Sequence, residues 1–477
     1  MSLAPHDETA RWPLAPTSPT ASAQVVVVGA GLGGLAAAYE LQQARVSCLV
    51  LQARPRIGGR TAETDDAFGH AHPRLLELLR SLGLEAQRRD ADGKDVVQGL
   101  DVSQADGPLD VGMTTVHEPS ARSQVCQLHD DDLRSYARVR DNLEELCRRV
   151  DVNRPTQMLP NYGAMSVDEL VVSHGATPRI RALADAWTHA LFGLPSGDVA
   201  ALSFLLHCKC AGGLAQAVPG AGGVRGTWRL GDGAERLLDE LAARLLPGTL
   251  WLSHEVEAID QTSASECVVT TRAGAVVHCS KVVLAVSAPY WRNIALAPGL
   301  GQDKRWLAAK DATAGLVGAV HLLYDEPWWR ERGFSGRGVG VAGPVCAVAD
   351  TTRDGHDGHR LTCLVAVEPA RELCQLPEGQ SHARILRQVE AMFGGAPPAP
   401  RGVLEQPPAA GHLVVPARNL ADLERDQWRP EGNILFAGAD TSLTWRGHME
   451  GALAASARAS DEVLRSMWPL PELASRL

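Results

Sequence analysis

Residues 24–61 read QVVVVGAGLGGLAAAYELQQARVSCLVLQARPRIGGRT. The four valines Val25–Val28 run up to a glycine, and such a β-branched run predicts a strand buried on both faces. Leu35–Ala44, rich in Ala, Leu, Glu and Gln, predicts a helix. Val46–Leu51 predicts a second short strand and completes a βαβ unit. At the turn, Gly29, Gly31 and Gly34 satisfy GxGxxG, with Gly33 beside the last of them. The first glycine permits the tight turn, the second lets a pyrophosphate near the backbone, and the third lets helix and strand pack closely. The helix start then offers free N–H groups and a positive dipole end. Strand, glycine turn, helix and strand in this order predict a dinucleotide site.

The second strand ends at Gln52, where such a site usually has an acidic residue for the ribose hydroxyls. An amide can accept one such hydrogen bond and donate another. It lacks the charge that strengthens them, so weaker cofactor binding is expected. Arg54-Pro55-Arg56-Ile57-Gly58-Gly59-Arg60-Thr61 follows. A nicotinamide enzyme has no need of this element. It suits a flavin dinucleotide, with Gly58 and Gly59 letting the chain pass under the pyrophosphate and Arg60 supplying charge. Arg54 joins the same candidate set.

The chain has 477 residues, enough for two or three domains. Its net charge of -10, with no basic run, argues against a nucleic-acid partner. No apolar stretch approaches the ~18 residues of a membrane span. Residues 1–23 lack the apolar core of a secretory signal and read as a disordered tail. Ten cysteines are scattered; Cys208-Lys209-Cys210, the closest pair, fits neither a redox CxxC nor a zinc knuckle. No metal is expected. The cysteines read as small buried side chains in a reducing cytoplasm. Further along, helices are expected over 131–150, 177–191, 234–246 and 449–467. Strands are expected over 250–259, 267–286, 316–323, 361–367 and 433–436, and a connecting loop over 396–409.

Two blocks of this chain resemble the flavin amine oxidase family, the monoamine oxidase and L-amino acid oxidase group. The opening stretch is one. The other is Ile434-Leu435-Phe436-Ala437-Gly438-Ala439-Asp440-Thr441-Ser442, followed by Trp445-Arg446-Gly447-His448-Met449-Glu450-Gly451-Ala452. Weaker similarity runs through Met165–Leu202 and Gly222–Pro289, and Tyr324-Asp325-Glu326-Pro327-Trp328-Trp329 resembles a further segment. The resemblance implies an α/β fold: a Rossmann-like FAD-binding domain, discontinuous over 24–85, 220–290 and 405–467. An α+β substrate domain would take 86–219 and 291–404, and 468–477 would form a tail. It places Gly438 and Asp440 along the cofactor's ribityl and pyrophosphate, the Met449 N–H at the flavin pyrimidine, and the Val256 backbone at the adenine. It sets His448 over the flavin's reacting face and Trp445 as a candidate pocket wall.

The chain departs from the family pattern at informative places. Ala319 stands where many members place a lysine near the flavin, and residues 316–324 contain none. Of the two aromatic rings that often frame the amine, one position is His448 and the other falls near Gly411-His412-Leu413, without an aromatic hydrocarbon ring. Thr61–His72 is a short substitute for a flavin-lining stretch. Trp328 and Trp329 read as core. The expected function is FAD-dependent oxidation of an amine or amino acid by hydride transfer to flavin N5, with O2 as acceptor. A desaturase acting on C–C or ring C–N bonds, and a flavin-binding homologue without turnover, stay open. The substrate is a small molecule, and no oligomeric state is assigned.

No cysteine lies near Gly411, the expected tethering position, so FAD is expected to be non-covalent. Acid precipitation should release yellow flavin into the supernatant; colour retained in the pellet would contradict this.

Overall fold

The computed structural model describes residues 20–59, 61, 67–68, 72–89, 93–98, 114–117, 130–152, 154, 162, 164–218, 227–230, 233–309, 316–352, 358–365, 372–373, 375–394, 396–410 and 428–468. Its centre is a parallel sheet. β1 is Thr20–Ser22, β2 Val25–Val28, β3 Cys48–Leu51, β4 Ala67–Phe68, β5 Ala86–Arg89, β6 Lys94–Gln98, β7 Thr114–His117 and β8 Thr227–Leu230. β9 is Leu250–Trp251, β10 Val256–Asp260, β11 Cys267–Thr271, β12 Val276–Cys279, β13 Lys281–Leu284 and β14 Ala295–Ala297. β15 is Leu316–Tyr324, β16 Phe334–Val339, β17 Val345–Asp350, β18 His359–Val365, β19 Gly402–Ala410 and β20 Ile434–Phe436. Among the described residues the central sheet runs β20-β13-β2-β3-β9, every pairing parallel.

The valine run shows why this strand is central. Val25 and Val27 point into one core, and Val26 and Val28 into another. The first core is built with helices α1 (Leu32–Gln43), α2 (Pro73–Leu82), α7 (Gly233–Ala243) and α10 (Met449–Met467). The second is closed by a mixed sheet, β1-β12-β11-β10-β14. With both faces covered, the strand needs apolar side chains at every position, not at alternate ones.

The remaining chain forms two further cores. Helices α3 (Asp130–Arg149), α4 (Val167–Ser173), α5 (Pro178–Phe192) and α6 (Ala201–Ala211) share one. The sheet β19-β15-β18-β17-β16-β6-β7 packs one face on α9 (Glu378–Phe393), with α8 (Gln302–Ala309) earlier in the chain. Trp328 and Trp329 are buried in this core, edge to face with Tyr324. No described helix is long and apolar enough to cross a membrane.

Several sequence expectations are corrected. Thr20–Ser22, assigned to the tail, is a strand pairing in parallel with Val276–His278. Its alternation of exposed and half-buried residues carries little hydrophobic signal. The expected loop over 396–409 instead contributes most of β19, Gly402–Ala410, at the sheet edge. Pro407 and Pro408 fall where the register shifts between Val317 and Ala319, a bulge on an edge strand, which tolerates a missing donor. Three strands lie across the domain boundaries drawn from sequence. β5 pairs with β8 although residue 86 was placed in the substrate domain. β14 pairs with β10, although 291–404 was placed there too. β19 joins the substrate-side sheet, although 405–410 was assigned to the cofactor domain.

Candidate active site

The glycine turn is built by backbone packing. Gly29 has φ +104°, a conformation open to glycine. A Cβ on Gly34 would lie 1.9 Å from the Gly29 carbonyl oxygen, and one on Gly33 would lie 2.8 Å from that of Ala437. These two glycines are required by the protein itself. Gly31 differs: its nearest neighbour would be the Gly58 oxygen at 3.8 Å. Gly31 bridges to Gly58, whose N–H donates to the Ala30 carbonyl at 2.8 Å. Gly58 and Gly59 therefore run directly beside the turn. Gly31 is also the N-cap of α1, with no side-chain cap and no acidic residue in the first turn. The result is an open cradle facing an uncapped helix start, suited to a pyrophosphate.

Gln52 is buried at the end of β3. Its Oε1 accepts from the Ala30 N–H at 3.0 Å, and its Nε2 donates to the Arg56 carbonyl at 2.8 Å. The sequence reading had both ends of this amide on ribose hydroxyls. The structure uses both inside the protein, because a neutral amide can bridge an N–H and a C=O while a carboxylate cannot. A second lone pair on Oε1 is what the amide can still offer a ribose. Arg54 is exposed, and its carbonyl accepts from Ser253 N–H, while the Gln52 carbonyl accepts from His254 N–H. These bonds hold the chain leading into Val256, the first residue of β10, beside Gln52. Arg60 lies outside the described residues, as does the 411–413 segment.

The carboxy-terminal block closes the other side. After β20 the chain turns through Gly438 into a 3-10 turn, Ala439–Thr441. A Cβ on Gly438 would lie 2.6 Å from Asp440 Oδ1 and 2.9 Å from the Val286 oxygen. Asp440 is buried; its Oδ2 accepts from the Ala288 N–H at 2.7 Å, and its Oδ1 has no hydrogen-bond partner among the described residues. A buried carboxylate oxygen without a partner is costly and points to a group that would donate to it. Arg458 pins this turn, donating to the Phe436 carbonyl at 2.6 Å and to Thr441 Oγ1 at 3.0 Å. An open cradle, an uncapped helix and an orphaned carboxylate oxygen all fit FAD, whose ribityl chain carries hydroxyl donors.

Trp445 adopts φ +50°, rare for a non-glycine residue. Its carbonyl sits against Gly451, where a Cβ would lie 2.1 Å away. His448 is the N-cap of α10, with no side-chain cap bond, and Met449 is its first residue. His448 and Trp445 rings lie 5.1 Å apart edge to face. Two residues the sequence reading did not single out join them. His72, the N-cap of α2, stands edge-on to Trp445 at 4.2 Å and 6.3 Å from His448. His207 of α6 lies 5.6 Å from Trp445 and 5.1 Å from His448. Glu450 joins the two helix starts: its oxygens accept from the Arg74 and Leu75 N–H groups of α2 at 3.1 and 3.0 Å. Burial raises the Glu450 carboxyl above its ordinary range. On β15, Ala319 shares a strand face with His321, whose ring bonds Thr362 Oγ1 at 2.9 Å and Gln406 Oε1 at 3.2 Å. No described group of three or more His, Cys, Asp or Glu residues could hold a metal.

Two predictions follow from this geometry. Gly31→Val should fold and lose FAD, because the added side chain fills the cradle and not the protein. Gly34→Ala, though smaller, should fail to fold. Thermal unfolding with the flavin-to-protein absorbance ratio reads both, and a Gly31→Val protein that retains flavin would overturn the assignment. The second concerns pH. Burial pushes the His72 imidazole down to about 4. An unfolded histidine titrates near ~6.5. Between these values the unfolded chain binds more protons, so stability falls as pH drops through that window, by up to about 3 kcal/mol. His72→Phe should flatten this part of the curve in urea unfolding; an unchanged slope would show that the ring is not buried neutral.

Comparison with known proteins agrees with the architecture. The family described as flavin containing amine oxidoreductase matches residues 32–464. Amine oxidase [flavin-containing] B of Cavia porcellus is 26% identical over 478 residues, covering 94% of this chain and 87% of its own. The Sus scrofa enzyme of the same name shows the same identity and coverage. Wild-type putrescine oxidase bound to putrescine superposes with a TM-score of 0.81 at 23% identity, over 94% of this chain and all of that one. Cyclohexylamine oxidase from Brevibacterium oxydans IH-35A gives 0.79 at 22%, covering 93% and 99%. The cradle, the orphaned Asp440 oxygen and the match over nearly the whole described chain lead to one conclusion: this protein belongs to the flavin containing amine oxidoreductase family and is a flavin-dependent oxidoreductase with FAD as its cofactor.

Proposed function

We propose that the protein oxidises an amine or amino acid to an imine, which water then hydrolyses, with O2 taking the electrons as peroxide. The observation that carries this reading is one continuous turn. Residues 438–451 supply the Asp440 carboxylate at one end and the Trp445–His448 rings at the other. Cofactor wall and substrate wall are then built from the same rigid segment, which fixes their relative position.

FAD, when bound, supplies the two-electron acceptor. Gly31, Gly58, Gly59 and the start of α1 would hold its pyrophosphate, with Arg54 as a cation in the same loop. Gln52 and Val256 flank the adenosine, and Gly438 and Asp440 the ribityl chain. The Met449 N–H, at the first position of a nineteen-residue helix, favours negative charge on the ring. His448 orients the substrate amine or takes its proton, and Trp445 excludes water. Ala319 offers no ammonium group, so proton handling falls to the imidazoles. The eight described cysteines are all free thiols, which supports a cytoplasmic setting.

His448→Ala should slow anaerobic flavin reduction by ~10²–10⁴-fold with the FAD spectrum intact, the range typical of a positioned acid–base group. His448→Phe restores a ring without a proton acceptor. If it reduces flavin as fast as the native protein, His448 is only a wall. If no amine or amino acid bleaches the flavin, the desaturase reading replaces this one.

A further inference from the structure

We propose that Cys267 and Cys279 are a peroxide-responsive dithiol that closes into a disulfide between β11 and β12. The inference is independent of the amine-oxidising reading, because the oxidant in its test is supplied from outside.

Register sets this pair apart from the other buried cysteines. Cys267 opens β11, Cys279 closes β12, and the antiparallel ladder puts them directly opposite each other. Residues in that relation have Cα atoms roughly 4.5–5.5 Å apart, inside the roughly 4.4–6.8 Å that a disulfide spans. Both side chains leave the sheet on its buried face, into the core shared with Val26 and Val28. Cys346 and Cys363 also lie on neighbouring strands, but there the register sets Cys363 against Val348. Cys346 and Cys48 each donate to a backbone carbonyl, of Leu364 at 3.3 Å and of Ala38 at 3.6 Å. Burial pushes the thiols of Cys48, Cys346 and Cys363 up to about 12, so they stay protonated. Cys267 goes the other way. The Cys279 S–H donates to its sulfur, and against burial the Lys281 ammonium and the Asn433 side chain add to this, holding its thiol below the ordinary value. The same hydrogen bond and burial push Cys279 up. The pair therefore has one nucleophilic sulfur and one that keeps its proton.

A peroxide oxidises such a pair in two steps. The Cys267 thiolate attacks the O–O bond of hydrogen peroxide. An S–O bond forms, the O–O bond breaks, and the departing hydroxide takes up the proton that Cys267 gave up, leaving as water. The Cys279 sulfur then attacks the Cys267 sulfur. The S–S bond forms, the S–O bond breaks, and the second hydroxide leaves as water with the Cys279 proton. Two thiols lose two electrons and two protons, and one peroxide becomes two waters. Position supplies the access. The pair lies at the open end of its hairpin, next to surface Glu266, which bonds His278 at 3.0 Å. β1 covers β12 only as far as His278. Fraying of these strand ends admits an oxidant little larger than water. Once closed, the bridge clasps the 267–279 hairpin in the sheet that backs the valine strand, and it restricts the unfolded chain there.

Peptide mapping tests this on the flavin-loaded protein, treated with hydrogen peroxide while folded, then unfolded in iodoacetamide and digested. The peptides carrying Cys267 and Cys279 should be recovered joined, with the loss of two alkylatable thiols per chain, and dithiothreitol should restore both. The bridged protein should unfold at a higher urea concentration than the reduced one, and dithiothreitol should cancel that shift. Cys279→Val, given the same peroxide, should form no bridge and show no upward shift. Its Cys267 should stop at the sulfenic acid, which dimedone captures on unfolding. Cys279→Ala serves the same purpose where the Val variant does not fold. The proposal is overturned if both thiols are alkylated after peroxide, if either sulfur bridges to another cysteine, or if bridging leaves the unfolding midpoint where it was. A Cys279 variant without the Cys267 adduct overturns the order of the two sulfurs. None of these readouts needs an amine or any turnover, so a protein that oxidises no amine leaves the test intact.

Discussion

The structure depends on two contacts between backbone and glycine at the start of α1. Gly34 packs against the Gly29 carbonyl and Gly33 against that of Ala437. The first lets the helix fold back over its own strand. The second brings a segment from the far end of the chain into the same turn. Any side chain at Gly33 would push Ala437 away, and with it the Gly438–Asp440 turn and the start of α10. The cradle is thus a joint between two segments distant in sequence, and neither forms a site alone. This is also why β20 lies beside β13 rather than at a free position: the Ala437 N–H donates to the Leu284 carbonyl at 2.8 Å.

The parts of the fold legible in the sequence are those whose signal is local. The valine run, the glycine spacing and the 449–467 helix carry their own periodicity or backbone demand. β19 was hidden because its two prolines read as loop, and only a partner strand shows that they fall at a bulge on an edge. Thr20–Ser22 was hidden because three residues of polar alternation mean nothing until Val276–His278 lies alongside. The pairings beside the expected boundaries between cofactor and substrate parts were hidden for a related reason. β5, β14 and β19 each pair across a long sequence separation, and no local pattern records the partner.

The site divides in the same manner. Gly31 and Gly58 could be singled out because glycine motifs contain them, and Asp440 because of its place in the second block. Gln52 could be read as unusual, but its bridge between Ala30 and Arg56 could not, since hydrogen-bond partners are set by the folded loop. His207 carried no signal, and His72 almost none. A histidine at a helix N-cap and one on a helix face are ordinary residues until four rings converge. One weak hint existed: His72 precedes Pro73, and a proline at the first helical position marks where α2 begins. That fixes the residue's place at a helix start, though not what it faces.

The convergence itself follows from how two helix starts are tied together. Glu450 lies in the first turn of α10 and accepts both N–H bonds at the start of α2. Each helix therefore begins at the same point, and the residue just before each start, His448 and His72, is carried to the same place. Trp445 is forced between them because its carbonyl nests against Gly451, which leaves the indole no route back along the helix. Its left-handed backbone is strained for a side chain of this size, and the strain is held by contacts on both sides. The chemistry of the pocket is thus set by where two helices begin.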